Sequence, residues 1–72
     1  MVNKVTKIYS LGRKIFSKRR ELKMSQNVLA EKLGISREHL AKIETAKRTV
    51  SLDLLIDIAE KLNTKVKDLI DF

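Results

Sequence analysis

Four residues, Leu33-Gly34-Ile35-Ser36, constrain this chain more than any others. They separate two short amphipathic runs, with Val28, Leu29 and Leu33 before them and Leu40 and Ile43 after, each spaced as one helix face. Glycine adopts the left-handed conformation that commonly ends a helix, and a serine two residues later can accept from the first free N–H groups of the next. So short a link allows only a sharp turn between two packed helices. Inner positions of such a pair must be apolar. Turning about 100° per residue from Leu40 and Ile43 places Glu38 and Lys42 outward, with Arg37, His39, Ala41 and Thr45 on the flanks.

Similar punctuation runs along the rest of the chain. Ser25 precedes the first helix of the pair. Ser51 precedes a further helix, in which Asp53 suits the first-turn dipole and Leu54, Leu55, Ile58, Ala59 and Leu62 form a broad apolar stripe. Ser10 reads as the N-cap of an initial helix carrying Leu11, Ile15, Arg19 and Leu22 and ending near Lys23; residues 1–9, with Val2, Val5 and Ile8 three apart, either extend that helix or pack as an ordered N-terminal arm, and the arm is the reading taken. Thr64 reads as the cap of a last short helix with Val66, Leu69 and Ile70. The expected architecture is all-α: five helices in a compact bundle, one domain over residues 1–72, with the helix pair at 25–45.

With 72 residues, no cysteine and one histidine, the chain can use neither disulfides nor a His/Cys metal site as a staple, which leaves oligomerisation. No catalytic Ser/His/Asp set, no paired carboxylates on a shared face and no phosphate-cradling glycine loop point to an enzyme, a metal or a cofactor. No small-molecule ligand site is evident either. No apolar run approaches the roughly 20 residues of a membrane span, and there is no signal-peptide core, so a soluble, cytoplasmic protein is expected. The net charge of +7 is uneven: residues 1–24 carry +7, 25–50 carry +2 and 51–72 carry −2. One basic face for a polyanion is the functional reading, and a solvated surface is the plain one.

From Leu11 to about Ile70 the sequence resembles the Cro/repressor-type helix-turn-helix family, also called the xenobiotic-response-element family. The matching stretches are Leu11-Gly12-Arg13-Lys14-Ile15, Met24-Ser25-Gln26, Leu29-Ala30, Leu33-Gly34-Ile35-Ser36, Ile43-Glu44, Ser51-Leu52, Ile58-Ala59 and Leu62. The resemblance implies a lambda-repressor-like domain and a transcriptional regulator binding operator half-sites in double-stranded DNA as a homodimer, its third helix in the major groove. Arg37 would pair with guanine, Glu38 accept from cytosine and Lys42 donate to guanine or phosphate, with Ser36 beside them. Gln26 would touch a phosphate and buttress the recognition helix, joined at the backbone by Asn27, His39, Lys47, Arg48 and Thr49. Arg19 and Glu44 match positions that form a structural ion pair. Leu55, Val66, Leu69, Ile70 and Phe72 exceed what a small core needs and are candidates for the dimer contact; the alternative is that all are internal and the protein dimerises only on DNA.

Two positions depart from the family pattern. Thr45-Ala46 stands where Asn-Gly or Arg-Gly is usual, so either the third helix runs longer or the following loop takes a different path. Phe16 stands where relatives are often basic, and is expected to pack against Ile8 or Tyr9. The run from Lys47 to Leu52 resembles restriction-modification controllers. The competing reading is a protein-interaction module of the same fold, such as an antitoxin or coactivator domain.

Overall fold

The computed structural model describes residues 4–70, which form five α-helices and no strand: α1 (Lys4–Glu21), α2 (Gln26–Leu33), α3 (Arg37–Glu44), α4 (Leu52–Lys61) and α5 (Val66–Leu69). Three of the helix starts are those the serines mark. The hydroxyls of Ser25, Ser36 and Ser51 accept from the N–H groups of Val28, His39 and Leu54 at 3.1, 3.0 and 3.2 Å. Each satisfies one donor that a helix start leaves without an intrahelical partner.

Two expected caps are corrected. Ser10 lies inside α1, which runs on to Lys4, so residues 4–9 are helix and not an arm. Nothing from Lys4 to Ser10 breaks a helix, and Ile8 gains apolar neighbours by continuing it, lining a cleft with Leu11, Ile43 and Val50. Val2 and the side chain of Val5 lie outside the described residues. Thr64 does not cap α5: the N-cap is Lys65, with no side-chain bond. The Thr64 N–H is already committed to Ala59 O of the preceding helix at 2.9 Å, while its hydroxyl donates to Asp68 Oδ2 at 3.4 Å.

Helix ends follow one pattern. After each of α1 to α4 one residue turns left-handed: Lys23 (φ 58°), Gly34 (φ 71°), Ala46 (φ 62°) and Asn63 (φ 55°). In every case its N–H donates three residues back, and the next N–H donates five residues back, as in Lys47 N to Lys42 O at 2.7 Å. This double bond pattern is the Schellman motif. Both expectations at Thr45-Ala46 are corrected: α3 ends at Glu44 without running longer, and Ala46 takes the left-handed position a glycine would take, despite its Cβ.

Ile15, Leu29, Leu40, Ile58 and Leu69 are completely enclosed, one from each helix, and around them close Ala30, Leu33, Ile43, Leu55, Ala59 and Leu62. α1 packs on α3 and α5, α2 on α3 and α4, and α4 on α5. Leu22 and Val28, read as part of the apolar stripes, are exposed. Leu22 falls past the last residue of α1, and Val28 is one position, about 100°, from the inward Leu29.

α1 meets the end of α3 at Gly12. A Cβ there would lie 2.7 Å from the carbonyl oxygens of both Ile43 and Glu44, so the two backbones touch directly. That approach brings the next turns of α1 alongside Glu44.

Candidate nucleic-acid interface

Arg19, two turns beyond Gly12, reaches both carboxylate oxygens of Glu44 through one edge of its guanidinium. Nε donates to Glu44 Oε2 at 2.7 Å and Nη2 to Oε1 at 3.0 Å, with the two side chains 6% and 2% exposed. The remaining Nη1 donates to Met24 O at 2.8 Å, tying the turn after α1 to the same group. A charge buried this far from water persists only when paired and fully hydrogen-bonded. Among the described residues no buried side-chain nitrogen or oxygen lacks a partner.

Glu44 extends the network outward. Its Oε1 also accepts from Gln26 Nε2 at 3.0 Å, and Gln26 Oε1 accepts from Arg37 Nη1 at 3.2 Å. Only one orientation of the Gln26 amide fits, since its NH2 must face a carboxylate and its oxygen a guanidinium. A continuous chain of polar contacts therefore runs from Arg19 in α1, through Glu44 at the end of α3 and Gln26 at the start of α2, to Arg37 at the start of α3. It fixes where the exposed side of α3 stands relative to α2.

On that side Arg37, Glu38 and Lys42 are exposed and His39 is half-buried. The Ser36 hydroxyl is occupied as the α3 cap. Asn27 is exposed one residue after Gln26, and Lys47, Arg48 and Thr49 are exposed in the loop leaving α3. Arg48 and Thr49 also line the cleft against Lys7, Ile8 and Leu11 of α1. Thr45 uses its hydroxyl on Ala41 O at 2.9 Å. The residues singled out for DNA thus lie at the start of α2, from Ser36 along α3 and in the loop beyond it, all exposed except half-buried Gln26 and His39.

The C-terminal residues are not brought together in this way. Leu69 is completely enclosed and Leu55 is 9% exposed; both fill the core and offer no surface to a partner. Val66 is half-buried against the core, Ile70 is exposed, and Phe72 lies outside the described residues. Exposed apolar side chains occur instead at Leu52 and Ile56, one turn apart on α4. Their signal was present in the sequence, on the side of α4 away from Leu55, Ile58 and Leu62. Phe16 does not meet Ile8 or Tyr9. Being in the same helix, those residues are carried away along the axis, and the ring lies instead among the guanidiniums of Arg13, Arg19 and Arg20.

Among the described residues there is no group of three or more His, Asp or Glu side chains able to hold a metal, and no helix long and apolar enough to cross a membrane. Two short helices joined by a left-handed glycine turn, the second anchored from behind and polar in front, define a helix-turn-helix module. The chain belongs to the helix-turn-helix family of the Cro/C1-repressor kind, whose family model matches residues 15–69. It is similar to the crystal structure of the restriction-modification controller protein C.AhdI from Aeromonas hydrophila, with 26% identity, TM-score 0.82, and coverage of 86% of this chain and 94% of that one. The clp gene regulator ClgR from C. glutamicum is 27% identical, with TM-score 0.83 over 88% of this chain and 82% of that one. A hypothetical transcription factor, NHTF from Neisseria, shares the fold at 18% identity and TM-score 0.82, covering 97% of this chain and 82% of that one. No curated protein sequence matches the chain. Fold, family and neighbours together make this a lambda-repressor-like, DNA-binding transcription regulator.

Proposed function

We propose that the protein represses or controls transcription in the cytoplasm by binding operator half-sites as a homodimer, with α3 in the major groove. The observation that carries this reading is the polar chain from Arg19 to Arg37, which sets the front of α3 from within the fold. One of the five N–H donors of Arg37 is held by Gln26, and the others remain for the O6/N7 edge of a guanine. Glu38 and Lys42 follow on the same side for cytosine and for guanine or phosphate. Asn27, His39, Lys47, Arg48 and Thr49 surround them for the backbone, and Gln26, already bonded on both ends, positions Arg37 and reaches phosphate only at the edge of its amide.

One such helix reads few base pairs, so two domains on half-sites about 34 Å apart supply the rest of the specificity. Leu52, Ile56 and Ile70, with half-buried Val66, are the apolar residues that the C-terminal half offers for that dimer. Likeness to C.AhdI supports the controller form of the reading.

Footprinting on the promoter of the protein's own gene, followed by binding of the protected duplex, tests the assignment. Arg37→Ala changes which base is preferred at one position, whereas Lys47→Ala weakens all sequences alike and lowers the salt slope by about 1. If both variants treat specific and random duplexes as the parent does, α3 is not the reading element. Sedimentation at micromolar concentration tests the dimer: a clean monomer without DNA excludes a preformed one.

A further inference from the structure

Three guanidinium groups gather around one aromatic ring on α1. Arg13 and Arg19 lie 5.2 Å and Arg20 5.7 Å from the centroid of Phe16. The spacing is helical, three before, three after and four after the ring, which puts all four side chains on one side of α1. Arg19 is neutralised by Glu44. Arg13 and Arg20 are exposed, and among the described residues neither forms an ion pair with a carboxylate. Two uncompensated charges thus stand on one side of α1, a field that favours an anion there.

The position of this cluster is defined by its third member. The Arg19 guanidinium that touches the ring is also the first link of the chain through Glu44 and Gln26 to Arg37. The ring therefore places Arg13 and Arg20 on the side of α1 that carries Arg19, the residue bonded to the end of α3. A guanidinium over a ring face satisfies its π surface while its in-plane N–H donors stay free for oxygen, and their fork geometry matches phosphate. We propose that Phe16 is a plate positioning Arg13 and Arg20 as a phosphate clamp on α1, which grips the DNA backbone flanking the groove that α3 enters. The clamp rests on the DNA-binding reading and extends its contacts to a third element. Phe16 acts through the two arginines and carries no base contact itself.

Equilibrium binding of the full chain to a random-sequence duplex, measured by fluorescence anisotropy between about 50 and 200 mM salt, tests the clamp. For each bound domain, Arg13→Gln with Arg20→Gln lowers the slope of log affinity against log salt by about 1.8, so the parent loses about 12-fold more affinity than the variant over that range. Phe16→Leu keeps both charges but loses the plate, weakening binding about 2- to 5-fold at low salt, and Phe16→Tyr restores it. Base preference on a footprinted operator is unchanged in all three. An unaltered slope in the double glutamine variant overturns the clamp, and Phe16→Leu binding like the parent overturns the plate. If Phe16→Leu does not fold, the exposed Arg13 and Arg20 substitutions still decide. A parent that binds no duplex at all overturns the underlying DNA reading as well, whereas a parent that binds with unaltered slopes in the variants overturns the clamp alone.

Discussion

Replacing Gly12 by alanine sets two well-understood effects against each other. In the middle of an ordinary helix the change is favourable by about 0.5–1 kcal/mol, because glycine loses more backbone freedom on folding. Here the added Cβ would sit 2.7 Å from two carbonyl oxygens, about 0.7 Å inside the 3.4 Å at which ordinary contact begins (3.4 − 2.7). Those oxygens belong to the backbone of Ile43 and Glu44, so no side chain can swing aside; α1 and the end of α3 must separate. Overpacking of this kind costs about 1–3 kcal/mol, and the same separation stretches the 2.7 Å Arg19–Glu44 bond two turns further along α1. The steric cost exceeds the propensity gain by up to about 2.5 kcal/mol, and by about 1–2 kcal/mol here because both clashing atoms are backbone. For a domain of this size that lowers Tm by roughly 5–15 °C, measured by far-ultraviolet circular dichroism on heating or by urea titration. A Tm equal to or above the parent's would refute the reasoning, since it would mean that the contact between α1 and α3 yields at little cost.

Ala46→Gly has the opposite sign. It removes the strain of a left-handed alanine, about 1–2 kcal/mol, against about 0.4–1 kcal/mol of added unfolded-chain freedom, so the urea midpoint rises by the equivalent of about 1 kcal/mol. Glu44→Gln leaves the Arg19 charge buried and unpaired and costs about 3–5 kcal/mol, much of the roughly 4–11 kcal/mol that 72 residues supply. Its circular dichroism at 37 °C should show substantial unfolding, and a fully folded variant would contradict the assignment of a buried pair. Gln26→Ala removes two hydrogen bonds at the edge of the structure and costs about 1 kcal/mol in a urea titration; on the proposed reading it also blurs discrimination at the base assigned to Arg37.

The sequence made much of this architecture legible because its signals were local. Ser25, Ser36, Ser51 and Gly34 act within one turn of themselves, and the structure uses each as its chemistry dictates. Ser10 misled because a serine before an apolar run resembles a cap, while a helix that has no breaker upstream simply continues through it. Ala46 and Lys23 were opaque for another reason: a local cost of one or two kcal/mol is outweighed by two backbone hydrogen bonds and the packing of the next helix, none of which is written at that position. Leu55 and Leu69 show the limit of counting apolar residues. A side chain destined for the core and one destined for a partner share the same periodicity, and only the three-dimensional closure of α5 on α1 and α4 separates them. Gly12 carried a readable signal, since glycine within a helical run commonly marks a close backbone approach. What it approaches became evident only in three dimensions.

The chain from Arg19 to Arg37 divides the front of α3 into two kinds of position. Glu38 and Lys42 form no hydrogen bond that ties them to another helix among the described residues, so they are interchangeable parts whose replacement leaves the scaffold intact. Arg37 is different, being bonded to α2 through Gln26. Replacement at 38 or 42 therefore leaves every link between the helices in place, whereas replacement at 37 also removes the outermost one, a single exposed bond to Gln26. On the proposed reading of α3, variation at 38 and 42 alters what is read without touching the scaffold, and variation at 37 is coupled to residue 26.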